Sequence, residues 1–195
     1  MQTTFVRHVP EPEGSDHADV APQAAPASPK SPGGRFGLRS RKGSTSADRS
    51  LIETLANSKL FQDYERAFTE STGMPVALRP IETWQLPHHG KRNESPFCAI
   101  VSEKSKACAC CLQVQEKLSD SAVNEARTLV CPAGLCDTAV PVRLGDRLIG
   151  YLQTGQVFRK QPTQTQFDRA CRLVAEWGVQ IEPDLLREAY FGTKV

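Results

Sequence analysis

Six of the seven cysteines in this 195-residue chain lie within a single stretch, between positions 98 and 136. Four of them are separated by nine, two and nineteen residues, in the order Cys98, Cys108, Cys111 and Cys131. Convergent thiolates are the ligands of zinc sites and iron–sulfur clusters. If the four sulfurs form one site, the fold must bring three separate segments of the chain together around it. The pattern therefore predicts zinc or an iron–sulfur cluster as a cofactor.

Two other interpretations of these cysteines stay open. They can be small buried side chains of the core, because free cysteine is among the most buried residue types. The vicinal pair Cys110 and Cys111 can also act as a redox switch. The spacing matches no standard zinc finger or ferredoxin, although Pro132 after Cys131 is similar to the end of a bacterial ferredoxin motif. Cys171 falls on the apolar face of a predicted helix, so we expect it in the core.

The overall composition excludes several classes of protein. A net charge of +2 is too small to predict nucleic-acid binding by the whole fold. No apolar run reaches the roughly 20 residues that cross a bilayer, and the N-terminus lacks the apolar centre of a secretory signal. An odd number of cysteines does not suit a disulfide framework. We therefore expect a cytoplasmic protein that binds neither membrane nor nucleic acid directly.

Composition divides the chain near residue 48. Residues 1–48 are rich in Pro, Ala, Ser and Gly, with Phe5 and Phe36 as the only aromatic residues. Such a segment buries too little apolar surface to offset the entropy lost on ordering. We predict a disordered tail over residues 1–48 and one domain over residues 49–195, which is an ordinary domain size.

Helical spacing opens the predicted domain. Ser50 and Glu53 fit a capping box at the start of a helical entry segment. A break is expected near Ser58, and Gly73 is the expected C-cap. Helical spacing returns in the cysteine stretch, where Cys108 and Cys111 share one face, and in the last third of the chain.

Strand patterns occupy the middle of the domain. Residues 76–80 read as a strand, with residues 83–86 as its possible partner. After a further strand near residue 130, a hairpin is expected to turn at Gly145. The order of elements predicts an α+β domain with an antiparallel sheet flanked by helices.

A loop between residues 86 and 96 contains two adjacent histidines, His88 and His89. Adjacent positions on a flexible loop converge poorly on one metal ion, because a preformed site needs fixed geometry. The sequence therefore favours no ligand role for this pair.

Several short motifs resemble the PocR ligand-binding (sensory) domain, across roughly residues 52–178. In chain order they are Phe97-Cys98, the pair Cys108 and Cys111, Cys131-Pro132-Ala133-Gly134-Leu135, Val140-Pro141-Val142, Gly145, Leu148-Ile149-Gly150 and Gly155-Gln156-Val157. The resemblance implies a divergent PAS-like fold that senses simple hydrocarbon derivatives in bacterial signal transduction or transcription regulation. Relatives commonly precede an AraC-type helix-turn-helix or lie in histidine kinases. This chain leaves no room for such a module before Val195, so we expect output through a separate protein, a further segment of chain or a homodimer.

The resemblance also implies a small ligand pocket between the sheet and the helices. The candidate liners and polar anchors are Trp84, Asp137, Gln153 and Gln156. Asp137 and Gln156 interrupt apolar segments, where an unbonded polar side chain costs about 1–3 kcal/mol. Each therefore either contacts a ligand or bonds to the backbone. We expect Gln156 to face a pocket bounded by the hairpin, the Cys108 helix and Trp84.

Two functions follow from these features. The favoured one is a non-catalytic sensory domain that binds a small apolar or hydroxylated molecule, since the sequence contains no Walker, nucleophile-elbow or zincin motif. The alternative is a redox or metal sensor, with zinc or an iron–sulfur cluster on the cysteines and no organic ligand.

Overall fold

The computed structural model describes residues 45–82, 85–102 and 105–195. These residues form six helices and four strands. In chain order they are α1 Ser46–Ala56, α2 Lys59–Thr72, β1 Val76–Pro80, α3 Pro96–Ser102, α4 Ser105–Ser121, β2 Arg127–Val130, β3 Cys136–Leu144, β4 Arg147–Val157, α5 Gln164–Glu176 and α6 Pro183–Phe191. The strands make one antiparallel sheet in the order β1-β4-β3-β2. The predicted α+β, PAS-like class is confirmed.

The first helix begins earlier than the sequence analysis predicts. Thr45 caps α1, since its Oγ1 accepts a hydrogen bond from the Asp48 N–H and its own N–H donates to Asp48 Oδ2 at 2.9 Å. The predicted capping box at Ser50 and Glu53 is therefore wrong. Asp48 is buried and forms an ion pair with Arg147 of β4 at 2.8 Å, which fixes the helix to the sheet. Residues 1–44 of the predicted tail lie outside the described residues.

The break between the first two helices and the end of the second are as predicted. Ser58 caps α2 by accepting a hydrogen bond from the Phe61 N–H at 3.2 Å. Gly73 ends the helix in the left-handed conformation, with φ of 68°. The chain then enters β1 directly, so α1, α2 and β1 form a continuous entry unit.

The central strand pair differs from the predicted one. β1 pairs with the distant strand β4, with Ala77 opposite Gln153 and Arg79 opposite Tyr151. Gln85 and Leu86 belong to no strand, so the predicted pairing of these two residues with β1 is wrong, while residues 83–84 lie outside the described residues. The predicted hairpin between β3 and β4 is present. β4 thus becomes a central strand with neighbours on both edges.

The two faces of the sheet are covered by different helices. One face, here called the inner face, packs against the fully buried side chains of Leu118, on α4, and Ala122, the residue after that helix. On the opposite face, Ile52 of α1 lies against Gly150, where a Cβ atom would be 2.5 Å from a backbone oxygen of β1. The inner face is therefore enclosed between the sheet and α4.

A second core forms where the C-terminal helices meet α3. The Tyr190 ring of α6 contacts the Phe97, Phe158 and Phe167 rings, with centroids 4.9–5.5 Å apart. Its hydroxyl donates to the Ala133 carbonyl at 2.8 Å. This core fixes the turn that follows β2.

The residues after α6 return to the end of β4. The Phe158 N–H donates to the Lys194 carbonyl at 2.8 Å. Ser95 Oγ and Thr193 Oγ1 are 2.9 Å apart. The start of α3, the end of β4 and the C-terminal residues are therefore joined by hydrogen bonds.

Candidate functional site

Buried polar side chains lie between the inner face of the sheet and α4, where hydrophobic packing is usual. Five of them, here called the polar patch, are Arg79, Gln115, Ser119, Asp137 and Gln153. None is more than 8 % exposed. Buried polar groups of this kind are costly unless they are hydrogen-bonded, so their partners decide what the patch can do.

Arg79 lies at the centre of the polar patch. Its Nε donates to Gln153 Oε1 and its Nη2 donates to Ser119 Oγ, both at 2.7 Å. Its guanidinium also lies over the Tyr151 ring, 4.9 Å from the centroid. These contacts tie β1 to β4 and to α4, and they give the buried cation both hydrogen-bond acceptors and an aromatic face.

Gln153 connects Arg79 to the helix. Its side chain is fully buried, accepts from Arg79 and donates to the side chain of Gln115 on α4. Because both ends of the Gln153 amide are bonded within the protein, its orientation is fixed. The predicted ligand anchor Gln153 is thus a buried polar residue of the inner face, and its contact with a ligand stays a prediction.

Asp137 is the acidic member of the patch. Burial raises the pKa of its carboxyl to about 6, and the Gln156 N–H, the Gln115 side chain and the Arg79 charge act in the opposite direction. The Gln156 N–H donates to Asp137 Oδ1 at 3.3 Å. At neutral pH the carboxyl is therefore mostly ionised and can only accept hydrogen bonds.

Gln156 faces a different cavity from the predicted one. Its Oε1 accepts from the Ser95 N–H at 2.9 Å, and its backbone has a positive φ of 57°, which is uncommon outside glycine. The side chain lines a cavity of about 220 Å³ between the end of β4, the residues before α3 and the C-terminal residues. Among the described residues, the Cys108 helix does not line this cavity, and the predicted boundary Trp84 lies outside the described residues.

His88 lies against the polar patch from the loop before α3. Its side chain is 1 % exposed, and neither ring nitrogen has a hydrogen-bond partner among the described residues. Its Nε2 is 3.8 Å from Asp137 Oδ1, which is beyond hydrogen-bonding distance. Burial, followed by the charges of Arg79 and Lys91, lowers the pKa of His88 to about 3. The imidazole is therefore neutral at physiological pH.

A comparison with models of protein families matches residues 54–195 to the sensory domain found in PocR. This match covers almost all of the described chain. The chain belongs to the PocR sensory-domain family. A sensory domain implies a small-molecule ligand. Searches of curated proteins and of solved structures gave no match.

Three of the four predicted metal ligands approach one another in this PocR domain. Cys98 of α3, Cys111 of α4 and Cys131 after β2 interact electrostatically with one another and with Asp137. Cys108, one turn before Cys111 on α4, interacts with Cys111. The fold thus gathers thiols from three segments beside the acidic end of the polar patch.

The chemistry of these thiols is set by burial. Burial is the main cause that raises the pKa of Cys111 to about 12 and that of Cys131 to about 11, and it raises the pKa of Cys98 well above its usual value. The thiolate is the form that reacts with oxidants and binds metals. At neutral pH the three thiols are therefore protonated, which disfavours the redox-switch interpretation at Cys111.

A preformed metal centre is not part of this arrangement. Over residues 45–82, 85–102 and 105–195, no group of three or more His, Cys, Asp or Glu side chains is arranged to hold a metal ion. The predicted zinc or iron–sulfur cofactor on Cys98, Cys108, Cys111 and Cys131 stays a prediction. Cys171, predicted to lie apart in the core, packs partly buried against the C-terminal core.

Three residues of the site carried no prediction of function: Arg79, Gln115 and His88. A charged residue within the apolar run of β1 was the available signal for Arg79. Gln115 recurs at helical spacing with Cys108, Cys111 and apolar residues, which marked its face but not its partners. The burial of His88 depends on how its loop packs, and local sequence carries no signal for that.

None of the helices formed by the described residues is both long and apolar enough to span a membrane.

Proposed function

We propose that this PocR domain is a non-catalytic sensor that binds one small, weakly polar molecule at the inner face of its sheet. The supporting observation is the polar patch itself, a bonded set of buried polar side chains between the sheet and α4. Small-molecule sites combine apolar walls with a few fixed polar groups, which set the ligand's orientation. Tyr151 and Ala139 supply apolar surface beside the patch.

The fixed geometry of the patch supports recognition. Arg79, Gln153 and Gln115 are bonded in series, so their side chains need little reorganisation on binding. A preorganised site loses less entropy when a ligand binds. The ligand we propose is a simple hydrocarbon derivative, because the apolar side chains of Leu118, Ala139 and Tyr151 pack beside the patch.

The chemistry of the site supports binding rather than catalysis. The neighbouring thiols are protonated at neutral pH, because burial raises the pKa of Cys111 and Cys131. A protonated thiol is a poor nucleophile. We therefore propose that the domain is not an enzyme.

A thermal-shift screen of small alcohols, ketones, aldehydes and acids tests the proposal. A ligand at about 100 times its dissociation constant should stabilise the domain by about 2.7 kcal/mol. Asp137→Asn should weaken that stabilisation, whereas the matched change Asp146→Asn, on the exposed hairpin turn, should leave it unchanged. If no compound in the screen stabilises the wild-type domain, or if both variants respond alike, the proposed site is wrong.

A second candidate is metal sensing by the thiols. The approach of Cys98, Cys111 and Cys131 favours it, because three thiolates with a fourth ligand suit zinc or an iron–sulfur cluster. Metal binding would have to displace the thiol protons, so affinity should rise with pH. Anaerobic purification followed by elemental analysis tests this candidate.

A matched pair of variants sharpens the metal test. Cys111→Ser should abolish any bound metal and, for an iron–sulfur cluster, the visible absorption. Cys171→Ser, in the C-terminal core, should leave both unchanged. Metal-free wild-type protein from an anaerobic preparation, or equal metal content in both variants, would contradict this candidate.

We also propose where the domain is located and how it passes on its signal. All seven cysteines are free thiols, which suits the cytoplasm. Output is proposed to pass through a homodimer or a separate signalling protein, with no direct contact to nucleic acid or membrane. Light scattering with and without ligand distinguishes a dimer from a monomer.

A further inference from the structure

The loop histidine His88 has no structural reason to be polar. It is 1 % exposed, and within the part of the chain that the structure describes both of its ring nitrogens lack a hydrogen-bond partner. Leaving one such group unbonded costs about 1–3 kcal/mol, and native proteins keep few of them. Leucine would fill a similar volume without this cost. A buried unbonded histidine therefore indicates a partner outside the folded chain.

The direction of the imidazole identifies the place where that partner would bind. Nε2 lies 3.8 Å from Asp137 Oδ1, at one end of the polar patch. The amide of Gln153 is already bonded at both ends, to Arg79 and to Gln115. The His88 ring nitrogens are the buried side-chain atoms without a hydrogen-bond partner among the described residues, and Asp137 is the patch residue beside them.

We propose that His88 is a ligand-contacting residue, and that one group of the ligand bridges its Nε2 and the Asp137 carboxylate. This inference rests on the proposed sensor function. The carboxylate can only accept a hydrogen bond, whereas a neutral imidazole with its proton on Nε2 donates one. We assign the proton to Nε2, so the bridging group must accept from the imidazole and donate to the carboxylate, and a hydroxyl is the smallest group that does so. A ketone oxygen cannot donate to the carboxylate.

The distance between the two groups permits this bridge after a small movement. An oxygen atom bonded to both at about 2.8 Å, with a near-tetrahedral angle, needs them roughly 4.6 Å apart. The present separation is 3.8 Å, so the pair must open slightly. His88 lies in a turn outside the helices and strands, which makes it the member of the pair that can move.

Two compounds of the same shape serve as probes: 2-butanol and 2-butanone, which differ only in a hydroxyl replaced by a carbonyl. Binding is measured by titrating each compound while following the imidazole nitrogen signals of His88 by NMR. The wild-type domain should bind 2-butanol at least about tenfold more tightly than 2-butanone, since a site built around a hydroxyl rejects the analogue that lacks it. The His88 signals should shift with the alcohol.

Three variants separate a binding role from a structural one. His88→Leu should reduce the preference for the alcohol to near unity, and His88→Gln, which can still donate and accept, should keep part of it. His89→Leu is the matched control, because this neighbouring side chain is 56 % exposed and should not matter. Without any compound, His88→Leu should raise the melting temperature by a few degrees, because two unbonded nitrogens are removed from the interior.

The proposal is overturned by an equal affinity of the wild type for both compounds, by no binding of either, or by an unchanged preference in His88→Leu. A lower melting temperature of unliganded His88→Leu would also overturn it, because His88 would then be a structural residue. These outcomes leave the sensor function intact, since that function depends on the broader screen with the Asp137 variant.

Discussion

Replacing Asp137 by Asn should change how the free energy of unfolding depends on pH. Burial raises the pKa of this carboxyl from 3.8 to about 6. Between these values the folded protein holds a proton that the unfolded chain has released. The contribution of Asp137 to stability is therefore fully present below pH 3.8 and is lost as the pH rises through about 6. Asparagine has no proton to lose, so the variant avoids this loss.

The size of the effect follows from the pKa difference. A shift of roughly two units corresponds to about 3 kcal/mol over the full range, and to about 2 kcal/mol between pH 4.5 and 7.5. The stability of Asp137→Asn relative to the wild type should rise by that amount over this interval. His88 also contributes to the pH dependence, because its pKa is lowered from 6.5 to about 3 and its contribution to stability is lost as the pH falls through that range. The same histidine is present in both proteins. Its effect therefore largely cancels in the difference.

Urea unfolding at a series of pH values measures this difference, provided the slope with denaturant stays the same in both proteins. Asp146→Asn, at the exposed hairpin turn, is the matched control and should give a difference that is nearly independent of pH. A flat or falling difference for Asp137→Asn would refute the argument that Asp137 is ionised at a cost in the interior.

Three further changes test the packing and the boundaries of the domain. Leu118→Ala, at a fully buried position facing the sheet, should lower the free energy of unfolding by about 2–5 kcal/mol in urea titrations, whereas Leu60→Ala, at a 74 % exposed position, should change it by less than about 0.5 kcal/mol. Gly155→Ala should destabilise more than Gly145→Ala in the same assay: both have positive φ, of 149° and 61°, but only at Gly155 would the new Cβ meet neighbouring oxygens at 2.5 Å. Starting the chain at residue 45 should leave the melting temperature unchanged, and starting it at residue 50 should lower it, because the Thr45 cap is then lost; equal melting temperatures would contradict this.

Local patterns predicted the elements well where their signals are local. The caps at Ser58 and Gly73 and the turn between β3 and β4 follow from residue types with direct effects on the backbone. The predicted start of the first helix is wrong because two residue pairs, Thr45 with Asp48 and Ser50 with Glu53, fit the same capping pattern. The Asp48 ion pair with Arg147, about a hundred residues later in the chain, favours the first and is invisible locally.

The sequence could not predict features that depend on contacts between segments far apart in the chain. β1 was assigned a neighbour close in sequence, whereas its partner β4 lies some 70 residues away. In the site, the sequence marks Asp137 and Gln156 as polar interruptions of apolar segments, and the family resemblance adds Gln153. Of these three, Asp137 and Gln153 are buried. The cavity faced by Gln156 and the burial of His88 depend on the packing of the loop before α3, which no period or motif encodes.

Ser95 connects the end of β4 to the C-terminal residues through its hydrogen bonds. Its N–H is bonded to Gln156 and its hydroxyl to Thr193, while the neighbouring Lys194 carbonyl is bonded to Phe158. A displacement of the His88 loop that reaches Ser95 would either break these bonds or move Thr193 and Lys194 with it. Each of these hydrogen bonds contributes about 1 kcal/mol, so breaking them would cost roughly 2–3 kcal/mol. Coupling free energies between two binding sites are of the same size. We expect ligand binding at the inner face to change the position of the C-terminal residues Thr193 and Lys194.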